Sequence, residues 1–188
     1  MIKLIPGKSN LEQLGYSLYP DDKTTWWSPS KEGKAGIKQE EGNGRARGWE
    51  SMDDTSAWIV TPKDKKIVGQ LDWSEGRIIK GTRDETNCSI DGLDIFLERI
   101  DVWDKGKGYG TKALKQKHED WGKRGFDSVT LRPVSRETAQ SRGSQEGLYK
   151  WYQSHGYRKS TKCKHSPTCA DNFNCYLTKE LFDELYDY

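Results

Sequence analysis

The segment Lys105-Gly106-Lys107-Gly108-Tyr109-Gly110, followed by Thr111, carries the most direct chemical signal in this chain. Glycines at alternate positions let successive backbone N–H groups turn toward one anion, and a helix starting there adds a partial positive charge at the same place. Lys105 and Lys107 add fixed charge. A diphosphate is the ligand that such a turn suits. No Gly-Lys-Ser/Thr closes the segment, so it is not a Walker A loop, and its third glycine is misplaced for the six-residue dinucleotide fingerprint. The plain alternative is a turn that only joins a strand to a helix.

Other groups could also do chemistry. In a strand expected over 93–102, Asp94, Phe96, Glu98, Ile100 and Val102 share one face of a period-2 pattern, so both carboxylates point to the same side. The ordinary reading of each is a solvated carboxylate or one salt-bridged to Arg99 or Arg132. Leu148, Trp151, Tyr152 and His155 fall at helical spacing, which reads first as a packing stripe, although the Tyr152 phenol keeps its proton at neutral pH. Cys163, His165, Cys169 and Cys175 crowd into one short stretch, but their C-x-H-x3-C-x5-C spacing lacks the C-x2-C knuckle of zinc fingers. The reading is therefore no metal, with unliganded thiols and His165 on the surface, and zinc on those four residues is the alternative. His118 is expected on the exposed face of the helix that follows the glycine turn.

The elements that must position these residues follow from composition and periodicity. The 188 residues suit one domain, and 31 basic against 29 acidic residues leave a net charge of +2, which argues against a polybasic nucleic-acid coat. No apolar run reaches the length of a membrane span or a signal peptide, which makes a cytoplasmic protein the expectation. Four cysteines in a chain of this length favour reduced thiols or a metal over a disulfide framework. A strand over 2–5 and a capped helical turn from Ser9 open the chain, and polar excursions are expected at 28–54, 75–92 and 135–145. The runs 57–60 and 67–73 form a hairpin, 93–102 leads through the glycine turn into a helix over 111–125, and 126–134 is a strand. A helix over 146–155 capped by Gly156, strands from Tyr157 and at 174–177, and an acidic helix from 179 complete the order.

With these elements in place the chain resembles the GNAT (Gcn5-related) acyl-CoA N-acyltransferase superfamily over residues 2–177. The family's diphosphate loop, Arg/Gln-x-x-Gly-x-Gly/Ala, is matched by residues 105–110 except for lysine at the first position. A later signature, an aromatic, Tyr, three variable residues, Gly and Phe or Tyr, is matched by Trp151-Tyr152-Gln153-Ser154-His155-Gly156-Tyr157. The resemblance implies an α+β fold, with a mixed, mostly antiparallel sheet of six to seven strands flanked by helices, in a single domain over 1–188. It implies acetyl-CoA as cofactor, its pantetheine arm on the backbone of Ile100, Asp101 and Val102 and its diphosphate on Lys105, Gly106, Lys107, Gly108, Tyr109, Gly110 and Thr111. In that family the strand before the loop splays from the next, here 128–132, and Pro133 sits where pairing must stop. The general base then lies on 93–102, with Glu98 and Asp94 as candidates, and Tyr152 assists the departing thiolate, with Tyr149 as the fallback. The implied activity is N-acetyl transfer to an amine of a small molecule or a protein, and the alternative is an inactive binding or structural component of an assembly. Acceptor identity and oligomeric state are left open.

Overall fold

A computed structural model describes residues 1–11, 13–18, 24–27, 36–39, 54–76, 88–89, 93–134 and 142–181. In chain order these form strands β1 (Lys3–Pro6), β2 (Ser17–Leu18), β3 (Thr24–Trp27), β4 (Gly36–Gln39), β5 (Ser56–Thr61), β6 (Lys66–Glu75) and β7 (Asp94–Val102). Helix α1 (Tyr109–Lys123), strand β8 (Ser128–Leu131), helix α2 (Arg142–Ser154) and strands β9 (Arg158–Lys159) and β10 (Leu177–Glu180) follow. Hydrogen bonding gives the strand order β1-β5-β6-β7-β8-β10-β9, with β2 beside β6. The fold is therefore mixed α+β with a mostly antiparallel sheet, as expected. No helix among the described residues is long and apolar enough to cross a membrane.

The chain divides into two compact units, of which the first comprises residues 1–73 and 99–117. Here the runs read as a hairpin pair antiparallel, Ala57 opposite Leu71 and Thr61 opposite Lys66, with a bulge at Ile59/Val60. The turn between them closes on Lys65 in a left-handed conformation, φ 55°. Ile5, Leu11, Tyr16, Trp58, Val60 and Ile67 form an apolar cluster, against which Trp103 packs. Gly69 lies where a Cβ would stand only 2.3 Å from the Asp101 carbonyl oxygen, so the backbones of β6 and β7 meet closely there. The helix expected after Ser9 does not form. The capping bond does, from Gln13 N–H to Asn10 Oδ1 at 3.1 Å, but the turn ends at Gly15, φ 80°. The polar excursion at 28–54 contains β4, which pairs antiparallel with β3 in a separate two-stranded sheet, Trp27 opposite Gly36.

The second unit comprises residues 74–98 and 118–188. Its strand β8 is buried along its whole length and pairs antiparallel with β10, which in turn pairs with β9. The parallel β7–β8 ladder covers Asp94 to Phe96 against Ser128 to Thr130 and ends there, while β7 runs on to Val102. Helix α2 begins at Arg142, inside the expected insertion at 135–145. Strand β10 reaches Glu180, which displaces the acidic helix expected from 179, and residues 182–188 lie outside the described residues. The insertion at 75–92 likewise lies mostly outside them.

The cysteines correct the expectation of reduced thiols. Cys88 pairs with Cys163 and Cys169 with Cys175 in two disulfides. Cys88 and Cys163 face each other as an isolated antiparallel bridge with Cα atoms 3.9 Å apart, and Cys169 and Cys175 close a tight turn at 4.8 Å. A length argument cannot foresee this, because backbone pairing brings together residues 75 positions apart.

Candidate functional site

The glycine turn lies in the first unit, between β7 and α1. Gly106 and Gly108 both take left-handed backbone conformations, φ 81° and 75°, which residues with a Cβ seldom adopt. Gly108 O accepts from Lys112 N–H at 3.1 Å, so Gly108 is the N-cap of α1 and Gly110 falls in the helix's first turn. A glycine-rich turn that ends in a helix N-terminus is a backbone arrangement that suits an anion. Of the two lysines, Lys107 bonds the largely buried Asp104 carboxylate, Nζ to Oδ2 at 2.9 Å, so its charge is partly spent within the turn. Ahead of the turn, Ile100, Asp101 and Val102 are half-buried, and Asp101 takes the Arg99 guanidinium at 2.9 Å. Trp103 N–H donates to Val68 O at 2.7 Å, which fixes the exit of β7 against β6.

In the second unit the two candidate carboxylates part company. Asp94 is 2% exposed and accepts from Lys162 Nζ at 2.6 Å and from the Ser128 hydroxyl. Lys162 Nζ also donates to Ser128 Oγ at 2.7 Å, which closes a three-membered ring of charge-assisted bonds. Glu98 is exposed and accepts from the Ser74 hydroxyl. Of the arginines expected from the sequence, Arg99 bonds Asp101, and Arg132 stacks over the Tyr176 ring.

Helix α2 holds Tyr149 and Tyr152 one turn apart, both buried. Burial pushes both phenols above the ordinary tyrosine value, Tyr152 far more. The Tyr152 ring meets Trp151 and Tyr157 edge-on at centroid distances of 4.9 and 5.5 Å, and no hydrogen bond to its hydroxyl occurs among the described residues. Tyr157, by contrast, shares a 2.6 Å hydrogen bond with His118 Nε2. His118 is thus not on an exposed face. It is 3% exposed, and burial, reinforced by the positive charges of Lys179 and His155, lowers its pKa from 6.5 to about 3. Sequence reading missed it because a histidine interrupts the apolar stripe of α1, although Ala113, Leu114 and Trp121 are fully buried as expected.

The metal alternative for Cys163, His165, Cys169 and Cys175 finds no support in the geometry. All three thiols are taken up in disulfides, His165 is half-buried with Nε2 3.3 Å from Tyr176 O, and no metal-holding cluster occurs among the described residues. His165, expected on the surface, is only partly exposed and lies beside the Tyr176 ring.

No protein-family model matches the chain, and no curated protein matches it in sequence. Solved structures similar to it include the paia N-acetyltransferase of Thermoplasma acidophilum in complex with coenzyme A, 13% identical over 66% of this chain and 59% of that one, TM-score 0.42. A GNAT-family acetyltransferase of Staphylococcus aureus is 13% identical over 67% of this chain and 66% of that one, TM-score 0.45. A GNAT-family N-acetyltransferase of Escherichia coli in complex with CoA is 12% identical over 70% and 61%, TM-score 0.45. The chain spans less than two thirds of the length of each of these three structures.

Proposed function

We propose that the protein is an acyl-CoA-dependent N-acyltransferase that moves an acetyl group from acetyl-CoA to an amine. The observation that carries this reading is the turn from β7 into α1, where two left-handed glycines deliver the chain to a helix N-cap at Gly108. On this reading the coenzyme's diphosphate lies on backbone N–H groups from Gly106 to Thr111, and its pantetheine arm pairs with the backbone of Ile100, Asp101 and Val102. The early end of the β7–β8 ladder at Phe96 supports this, since β7 continues past it.

The chemistry needs a neutral amine as nucleophile, an acceptor for its proton and a donor at the leaving sulfur. Glu98 suits the acceptor role better than Asp94, because it is exposed whereas Asp94 is closed off by Lys162 and Ser128. Tyr152 suits the donor role because its hydroxyl lacks a hydrogen-bond partner among the described residues and burial disfavours its phenolate. A phenol with a raised pKa keeps its proton and hydrogen-bonds the thiolate, whose ordinary pKa of about 8.5 is lower. On this reading the amine nitrogen would bond to the thioester carbonyl carbon as the C–S bond breaks, Glu98 would take the amine's proton, and the Tyr152 hydroxyl would donate a hydrogen bond to the departing thiolate sulfur.

Calorimetric titration with coenzyme A tests the binding half. The parent binds, and Gly108→Val, which cannot hold φ 75° without strain, remains folded and does not. Equal affinity in the two proteins refutes the reading. Once an amine screen supplies an acceptor, Tyr152→Phe should keep coenzyme affinity and lose about 10- to 1000-fold in rate, and Glu98→Gln should lose activity where Asp94→Asn retains more. Tight coenzyme binding with no acceptor among amines and peptides favours a non-catalytic binding component instead.

A further inference from the structure

The disulfide between Cys88 and Cys163 adjoins a lysine that is paired with a buried carboxylate. Lys162, immediately before Cys163, reaches across the sheet to Asp94 at 2.6 Å and to Ser128 Oγ at 2.7 Å. Asp94 is 2% exposed, and a buried carboxylate without a cation is strongly unfavourable. Yet Lys162 belongs to no regular strand. Among the described residues its main chain is held by Ser89 N–H donating to Lys162 O at 2.9 Å and by its own N–H on Ser160 Oγ at 3.1 Å. The first of these bonds lies beside the disulfide, and Phe96 and Tyr176 pack against the two cysteines. Phe96 is two residues from Asp94 on the same face of β7. The crosslink and the ion pair therefore sit on one face of the sheet, with the crosslink fixing the segment from which the lysine reaches.

We infer that the Cys88–Cys163 disulfide is a redox-sensitive latch that keeps the Lys162 ammonium on the Asp94 carboxylate. A dithiol reductant opens it: the S–S bond breaks, two electrons pass to the protein to give two thiols, and the dithiol becomes a disulfide. The thiols are small and apolar enough to stay buried, so the sheet persists while Lys162 loses its tether. Reduction then loosens the charge pair at the start of β7, the strand that also carries Glu98.

The test uses the full chain in a Cys169→Ser/Cys175→Ser background, so that only one disulfide responds. Thermal unfolding is measured for this protein, for Lys162→Met, for Cys88→Ser/Cys163→Ser and for their combination. The latch requires that Lys162→Met lower Tm clearly in the crosslinked protein and much less in the uncrosslinked one. Equal shifts in both, the signature of independent sites, overturn it. A second measurement does not depend on the cysteine variants folding. Amine acylation of Lys162, read by mass spectrometry against the exposed Lys123, should accelerate several-fold when the protein is reduced with dithiothreitol. An unchanged labelling ratio on full reduction of the Cys88–Cys163 bond also overturns the latch.

Discussion

Replacing one glycine by alanine should give opposite results at two places. At Gly69 the added Cβ stands 2.3 Å from Asp101 O, 3.1 Å from Ile59 Cδ1 and 3.2 Å from Val102 Cα. A carbon and a carbonyl oxygen come no closer than about 3.3 Å, so β6 and β7 must separate locally by roughly 1 Å. The two obstructing backbone atoms cannot rotate away as a side chain end could. The nearby Trp103 N–H to Val68 O bond, 2.7 Å long, stretches with that separation. Overpacking of about 1–3 kcal/mol and about 1 kcal/mol for a weakened ladder bond give a loss of about 2–4 kcal/mol. At Gly147 in α2 nothing lies within 4 Å of the added atom, so the substitution only removes glycine's excess freedom in the unfolded chain. The gain there is about 0.5–1 kcal/mol. At about 2–4 °C per kcal/mol for a chain of this size, Gly69→Ala should melt about 5–15 °C below the parent and Gly147→Ala about 1–4 °C above it. Differential scanning calorimetry reads both. A Gly69→Ala protein melting within a degree of the parent would refute the close approach of the two strands, and with it the support for the turn into α1.

Acid should weaken the fold through His118, whose pKa falls from 6.5 to about 3 on folding. The unfolded chain takes up this proton as pH drops below 6.5 and the folded chain does not until about 3. Stability is therefore full above pH 6.5 and declines below it, by up to about 1.4 kcal/mol per unit. Denaturant titrations from pH 7.5 to 4.5 on the parent and His118→Gln should show the steeper slope in the parent, and equal slopes would place the histidine in water. Removing the Cys88–Cys163 crosslink, whose cysteines are 75 positions apart, should cost about 4 kcal/mol through the entropy of the unfolded chain. Urea denaturation of the double serine variant checks it, and a loss under about 1 kcal/mol would mean that the unfolded chain is already constrained there.

Much of this was legible where apolar periodicity and turn chemistry agree. The apolar runs 57–60 and 67–73 announced the hairpin that pairs Ala57 with Leu71 and Val60 with Ile67, and the glycines from 106 to 110 announced a break between strand and helix. What failed were places where a long-range partner decides the outcome. Ser9 to Leu14 has a good cap and helical spacing, but Gly15 and the fit of Leu11 and Tyr16 into the core end the turn. His118 read as solvent-facing because it is polar, yet it is buried against Tyr157, and its neighbour Lys117 lies over the Trp73 ring at 4.2 Å. Asp94 and Glu98 were alike as a period-2 pair. The arrival of Ser128 and of Lys162, 34 and 68 residues later, distinguishes them. Disulfide partners and the splitting of two like carboxylates are properties of the folded chain and leave no local mark in sequence.

The parallel pairing of β7 with β8 also sets the order in which this chain can assemble. Two antiparallel strands joined by a four-residue turn, as β5 and β6 are, can meet within microseconds of dilution from denaturant. β7 and β8 cannot, since a parallel neighbour is reached only after the chain has travelled back along the sheet, here by way of α1. β10, the other neighbour of β8, arrives later still, from beyond α2. The buried β8 is thus the keystone that can be set only once α1 has formed and found its place, so refolding should be limited by that crossover, and destabilising α1 should slow refolding more than destabilising the β5–β6 hairpin does.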